Sequence, residues 1–149
     1  MKLEHRVRVK APPERVWAYL MDIPNAARCV PGVESVEAQG GERFRGRLRV
    51  QLGPIRLSFE GDISIEARDD TARTATMRAE GADKAAGGGV RALVAMSLSG
   101  SGVPESTDVT LSTDLQLAGR IGELGQPLIK RKADQMLDAF AKNLQRELA

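Results

Sequence analysis

The chain has 149 residues, enough for one domain with its own core and too few for two. With 22 Lys and Arg against 20 Asp and Glu, and only one Trp, one Tyr and three Phe, it has neither the basic footprint nor the stacking surface of a nucleic-acid binder. A single cysteine excludes an internal disulfide framework and any multi-cysteine zinc or iron–sulfur site, and 42% hydrophobic residues describe a globular chain, not a disordered one.

Residues 2–10 alternate, with Leu3, His5, Val7 and Val9 on one face and Lys2, Glu4, Arg6, Arg8 and Lys10 on the other. That pattern predicts a half-buried strand and is not the continuous apolar run of a signal peptide. Ala11-Pro12-Pro13 stops the strand and opens a helix over 14–21, with Glu14 in its first turn and Val16, Trp17, Leu20 and Met21 at helical spacing. Residues 16–21 are also the longest apolar run, far short of the roughly 18 residues of a membrane span, so a cytoplasmic protein is expected. A second short helix over 25–30 ends at Pro31-Gly32.

Strands follow. Residues 33–38 form a short one, and residues 43–52 place Phe44, Gly46, Leu48, Val50 and Leu52 opposite Arg43, Arg45, Arg47 and Arg49. Gly53-Pro54 is a two-residue turn, which pairs Leu52 with Ile55 and Gly46 with Gly61. Carrying the register through a turn at 68–72 sets Gly61 against Ala79 and Ile63 against Met77. The row Gly46, Gly61 and Ala79 then leaves the inner face almost bare, which fits either a bend in long strands or a hollow beneath a helix. A Gly-rich stretch at 81–89 leads to a strand over 90–98, and a turn at 101–104 leads to the last strand over 109–117. From about Ile121 an amphipathic helix runs to the end, with the stripe Leu124, Leu128, Ala133, Met136, Phe140, Leu144 and Leu148.

The order strand, two short helices, six strands and long helix argues α+β: a curved seven-stranded antiparallel sheet around the C-terminal helix, in a single domain over 1–149. Periodicity turns Trp17, Leu20 and Met21 inward from the first helix. Phe44, Phe59, Met77 and Met96 face inward from the sheet, and Leu124, Met136 and Phe140 from the long helix. These side chains are the candidate lining of an apolar ligand site, with its mouth near residues 23–24 and 30–32. Methionines suit a cavity for a variable apolar guest and serve equally as core filler.

Catalytic groups are scarce. His5 is the one histidine and nothing in the spacing brings Cys29 to it, so a Ser-His-Asp or Cys-His centre is hard to assemble. There is no HExxH, CxxC or calcium-loop spacing, and the glycines at 81–89 lack the Lys-Ser/Thr of a phosphate loop. Asp69-Asp70 reads as a turn cap, and Asp134 and Asp138 as solvated charges on the long helix. The arginines at 43–49 read as an outer sheet face offset by Glu60, Asp62 and Glu66. No catalytic residue and no metal site is expected.

Ala11-Pro12-Pro13-Glu14-Arg15-Val16-Trp17 is similar to the opening helix of the START-like, or SRPBCC, superfamily. Within it, Pro31-Gly32-Val33-Glu34-Ser35-Val36 and the Gly-rich turn at 81–89 resemble the carbon monoxide dehydrogenase G-subunit family. So, above all, does Gly119-Arg120-Ile121-Gly122-Glu123-Leu124-Gly125-Gln126-Pro127-Leu128-Ile129, continuing through Lys132-Ala133-Asp134-Gln135-Met136. The resemblance covers nearly the whole chain. It implies a helix-grip, START-like ligand-binding domain with an apolar cavity between sheet and C-terminal helix, and no covalently bound cofactor. It also implies a non-catalytic accessory protein that recruits a molybdenum hydroxylase, one oxidising carbon monoxide or a related substrate, to the membrane. The implied guest is a quinone or another lipid-like molecule; the implied partners are the molybdenum hydroxylase subunits and, transiently, the inner face of the cell membrane. Two alternatives stay open: a START-like cyclase or dehydratase, and a pure assembly factor with an incidental cavity. An enzyme needs polar groups in the cavity, and the inner positions offer only His5, Thr113 and Arg73.

Overall fold

Alternating apolar and polar residues build seven strands: β1 (Lys2–Val9), β2 (Val33–Gly40), β3 (Arg43–Leu52), β4 (Ile55–Asp69), β5 (Thr74–Asp83), β6 (Gly88–Gly100) and β7 (Thr107–Gly119). Helices α1 (Pro13–Met21) and α2 (Ile23–Ala27) separate β1 from β2, and α3 (Gln126–Leu148) ends the chain. The computed structural model describes residues 1–102 and 105–149, so Val103 and Pro104 of the expected 101–104 turn lie outside the described residues. Strand order is β1-β7-β6-β5-β4-β3-β2, antiparallel throughout. Short links stack β2 to β7 in chain order, while the α1–α2 excursion sends β1 and β2 to opposite edges. The result is the expected α+β helix-grip arrangement, a curved sheet around a C-terminal helix.

Both later helices start elsewhere than periodicity suggests. In α2, Pro24 occupies the first turn and the helix runs from Ile23 to Ala27, short of the expected 25–30. Before α3, residues Arg120–Glu123 form a separate 3-10 turn, and Pro127 marks the true helix start after Gly125. Leu124 therefore belongs to the connection and not to the helix.

The pairing of Leu52 with Ile55 and of Gly46 with Gly61 is as read from the Gly53-Pro54 turn. The next register differs: Gly61 faces Gly81, Ile63 faces Ala79, and Ile65 faces Met77. The pairing shifts at a bulge between Ile65 and Ala67, and the turn closes later, between Asp69 and Thr74. Asp69 Oδ1 accepts from the Thr71 and Ala72 amides, each at 3.0 Å, so it caps that turn. The bare row across the sheet is thus Gly46, Gly61 and Gly81.

Two apolar clusters anchor α3 at its ends. Leu144 and Leu148 pack with Val9, Val16, Leu20 and Leu111. At the other end Leu124 and Leu128 pack against Leu52, Leu57, Phe59 and Ile121. The buried side chains of α3 are Ile129, Leu144 and Leu148, whereas Ala133, Met136, Leu137 and Phe140 between them are only half-buried. The helix is held at both ends and spans a gap in the middle.

Asp83, buried at the end of β5, accepts from the amides of Ser58 (2.7 Å) and Ala86 (3.0 Å), tying β4 to the β5–β6 turn. Those backbone bonds hold its carboxyl below the usual carboxylate range. A carboxylate with a depressed folded pKa contributes stability above its unfolded pKa of about 4, and that contribution is lost as pH falls through the folded value. Asp83→Asn is therefore expected to lower the thermal midpoint at neutral pH and to flatten its fall below about pH 4. Thermal melts across an acid series check this; identical pH profiles for variant and wild type would remove Asp83 from the explanation.

Candidate ligand cavity

Between the two clusters lies a cavity of about 500 Å³, within the size range that holds a small organic guest. Its floor is the inner face of the sheet, where alternation directs Leu48 and Val50 of β3, Met77 and Ala79 of β5, Ala92 and Val94 of β6, and Leu115 and Leu117 of β7. Ile129, Ala133, Met136, Leu137 and Phe140 of α3 form its roof. Ile23, Ala26 and Ala27 of α2, with Val30, Val33 and Val36, form one side.

Gly46, Gly61 and Gly81 all border the cavity. A Cβ at Gly61 would stand 1.8 Å from the Glu80 carbonyl oxygen, so β5 lies too close there to admit any side chain.

Of the residues expected to line the site, Leu20, Phe59, Met77, Met96, Met136 and Phe140 border the cavity. Trp17, Met21, Phe44 and Leu124 do not. Trp17 Nε1 donates to Asp70 Oδ1 at 2.9 Å, which draws the indole to the β4–β5 turn, and Met21 packs in the same core cluster as Trp17. Phe44 is buried near the start of β3, paired with Ala38 and Ile63. Leu124 packs on the Phe59–Ile121 cluster instead.

Among the polar inner-face residues, Thr113 borders the cavity while His5 and Arg73 do not. Arg73 lies 3.6 Å from Glu14. His5 Nε2 meets Asp134 Oδ1 at 2.8 Å, and Lys130 Nζ donates to Asp134 Oδ2 at 3.0 Å. The His5 bond first, and then Lys130, hold the Asp134 carboxyl below its ordinary range. Asp134, read from sequence as a solvated charge, is a tether between α3 and β1.

The arginine face is neutralised across strands. Arg45 meets Asp62 at 2.9 Å, Arg47 meets Glu60 at 2.6 Å, and Arg49 meets Glu34 at 3.3 Å. Glu66, expected to offset the same arginines, pairs with Arg78. Cys29 is buried, with its carbonyl accepting from Asn143 Nδ2 at 2.9 Å and its Sγ 3.6 Å from the Tyr19 hydroxyl. Burial foremost, with that contact to Cys29, pushes the Tyr19 phenol well above its ordinary pKa. This corner ties the segment that follows α2 to α1 and α3. Among the described residues no three His, Cys, Asp or Glu side chains gather to hold a metal ion, and no helix is long and apolar enough to cross a membrane.

Sequence reasoning missed Lys132, which borders the cavity from α3. Its signal was available: it stands on the apolar stripe, four residues from Leu128 and from Met136.

The family model for CoxG, the G subunit of carbon monoxide dehydrogenase, matches residues 6–149. No curated protein matches the sequence significantly. A conserved protein from Geobacillus kaustophilus shares the fold at a TM-score of 0.89 and 20% identity, over 99% of this chain and 95% of that one. The Zhui aromatase/cyclase from Streptomyces sp. R1128 is similar at a TM-score of 0.71 and 19% identity, over 99% and 94%. A START superfamily protein from Mycobacterium smegmatis is similar at 0.69 and 14%, over 99% and 96%. At these identities the likeness is one of fold.

Proposed function

Because the chain belongs to the CoxG family of carbon monoxide dehydrogenase proteins, we propose that it is a non-catalytic carrier of a lipid- or quinone-like guest, serving a molybdenum hydroxylase at the inner face of the membrane. One observation carries the reading. Between the apolar stripe in the middle of α3 and the apolar inner face of the sheet lies about 500 Å³ lined almost wholly by carbon. A gap of that kind forfeits dispersion contacts on both of its walls, and an apolar guest restores them.

The lining also argues against turnover. Asp62 and Glu80 border the cavity, but their carboxylates are paired with Arg45 and with Arg91. That leaves a hydroxyl and an ammonium, Thr113 and Lys132, and no free carboxylate or imidazole to move a proton among the described lining residues.

Protein purified from cells that make respiratory quinones and extracted into organic solvent is expected to yield one apolar, chain-bearing molecule in near-stoichiometric amount by mass spectrometry. Folded protein that yields no such molecule would favour the pure assembly-factor reading.

A further inference from the structure

Lys132 differs from every other charged residue at the cavity. Arg47, Asp62 and Glu80 border the cavity where the glycine row exposes the main chain, and each is ion-paired: Arg47 to Glu60 at 2.6 Å, Asp62 to Arg45 at 2.9 Å, Glu80 to Arg91 at 3.1 Å. Lys132, half-buried, has neither an ion pair nor a hydrogen bond among the described residues. Its own helix offers no carboxylate within reach. The positions three and four residues away are Leu128, Ile129, Gln135 and Met136, and Asp134 is engaged by His5 and Lys130. Lys130 and Arg131, both exposed, add positive charge to the same turn.

An apolar side chain at 132 would continue the stripe and close part of the gap. Lysine stems characteristically lie along apolar surface with the ammonium toward water, so at this half-buried position beside the cavity a compact anion would find a donor without a competing partner. Resting on the reading of the cavity as a ligand site, we propose that the guest is an amphiphile with an anionic oxygen head group, a carboxylate or a phosphate. Lys132 Nζ binds the head at the rim while the tail lies beneath the middle of α3. Lys132 is then the residue that sets head-group specificity.

Two probes and two competitors test this: the fluorescent fatty acid cis-parinaric acid and its methyl ester, with dodecyl phosphate and dodecanoate competing for the site. Wild-type protein is expected to bind the acid more tightly than the ester. Lys132→Met should weaken the acid roughly tenfold and leave the ester unchanged, while Lys132→Arg should retain the preference. Stronger competition by dodecyl phosphate than by dodecanoate supports a phosphate head, and the reverse supports a carboxylate. Equal weakening of acid and ester in Lys132→Met, or a wild-type preference for the ester, overturns the proposal and leaves the cavity reading standing. Wild-type binding of neither probe overturns both.

Discussion

Gly61→Ala is expected to lower the thermal midpoint by about 10 °C, the equivalent of about 3 kcal/mol in a domain of this size. The obstacle is main chain. The new Cβ would lie 1.8 Å from the Glu80 carbonyl oxygen and 2.6 Å from the Gly81 Cα, and neither atom can rotate away as a side chain would. Relief requires prying β4 from β5 near the middle of the sheet. Gly81→Ala is the matched control: its Cβ would meet Glu60 and Phe59 atoms at 3.4 Å, an ordinary contact. With a shorter list of unfolded conformations, it should be neutral or stabilising by up to about 1 kcal/mol. Differential scanning calorimetry of the pair decides. Equal midpoints for Gly61→Ala and Gly81→Ala would mean that β4 and β5 do not approach each other so closely at Gly61.

Most of the fold could be read because its signals are local. Alternation marks the strands, and the two-residue turn at Gly53-Pro54 sets the β3–β4 register without any knowledge of the rest. The β4–β5 register was not readable in the same way. It depends on a bulge between Ile65 and Ala67 and on Arg73 accepting a φ of 56°, and neither leaves a mark in hydrophobic pattern. That slip exchanged Ala79 for Gly81 in the bare row. The start of α3 was readable, from Pro127 after Gly125, but the apolar stripe extends through Leu124 and conceals it.

The site was partly visible for a related reason. Periodicity says which face a side chain takes but not how far along α3 the sheet stays in contact with it. Met136 and Phe140 fall over the gap, whereas Leu124 falls on the anchored end. Trp17 points inward as expected, yet its indole N–H needs a partner, and Asp70 supplies one away from the cavity. Lys132 escapes a reading by pattern because a charge on an apolar stripe resembles noise until the neighbouring carboxylates are accounted for.

Ala79→Phe bears most directly on the apolar span beneath α3. Ala79 lies on the inner face of β5, paired with Ile63 and Ala92, and borders the cavity. A phenyl ring there projects into space that a guest's tail would otherwise occupy, at no cost to the anchored ends of α3. Filling a void is neutral or mildly stabilising, so the thermal midpoint should hold or rise. Binding should fall. At about 0.8 kcal/mol per methylene excluded, displacing roughly three methylenes weakens a tailed ligand by about fiftyfold. The measurement is a titration of wild type and Ala79→Phe with a decyl-tailed benzoquinone, followed by quenching of tryptophan fluorescence or by calorimetry. Saturable wild-type binding that drops by about fiftyfold in a variant with an undiminished midpoint is the expected result. Equal affinity in the two proteins would contradict it, and would mean that the space beneath α3 is not where the guest goes.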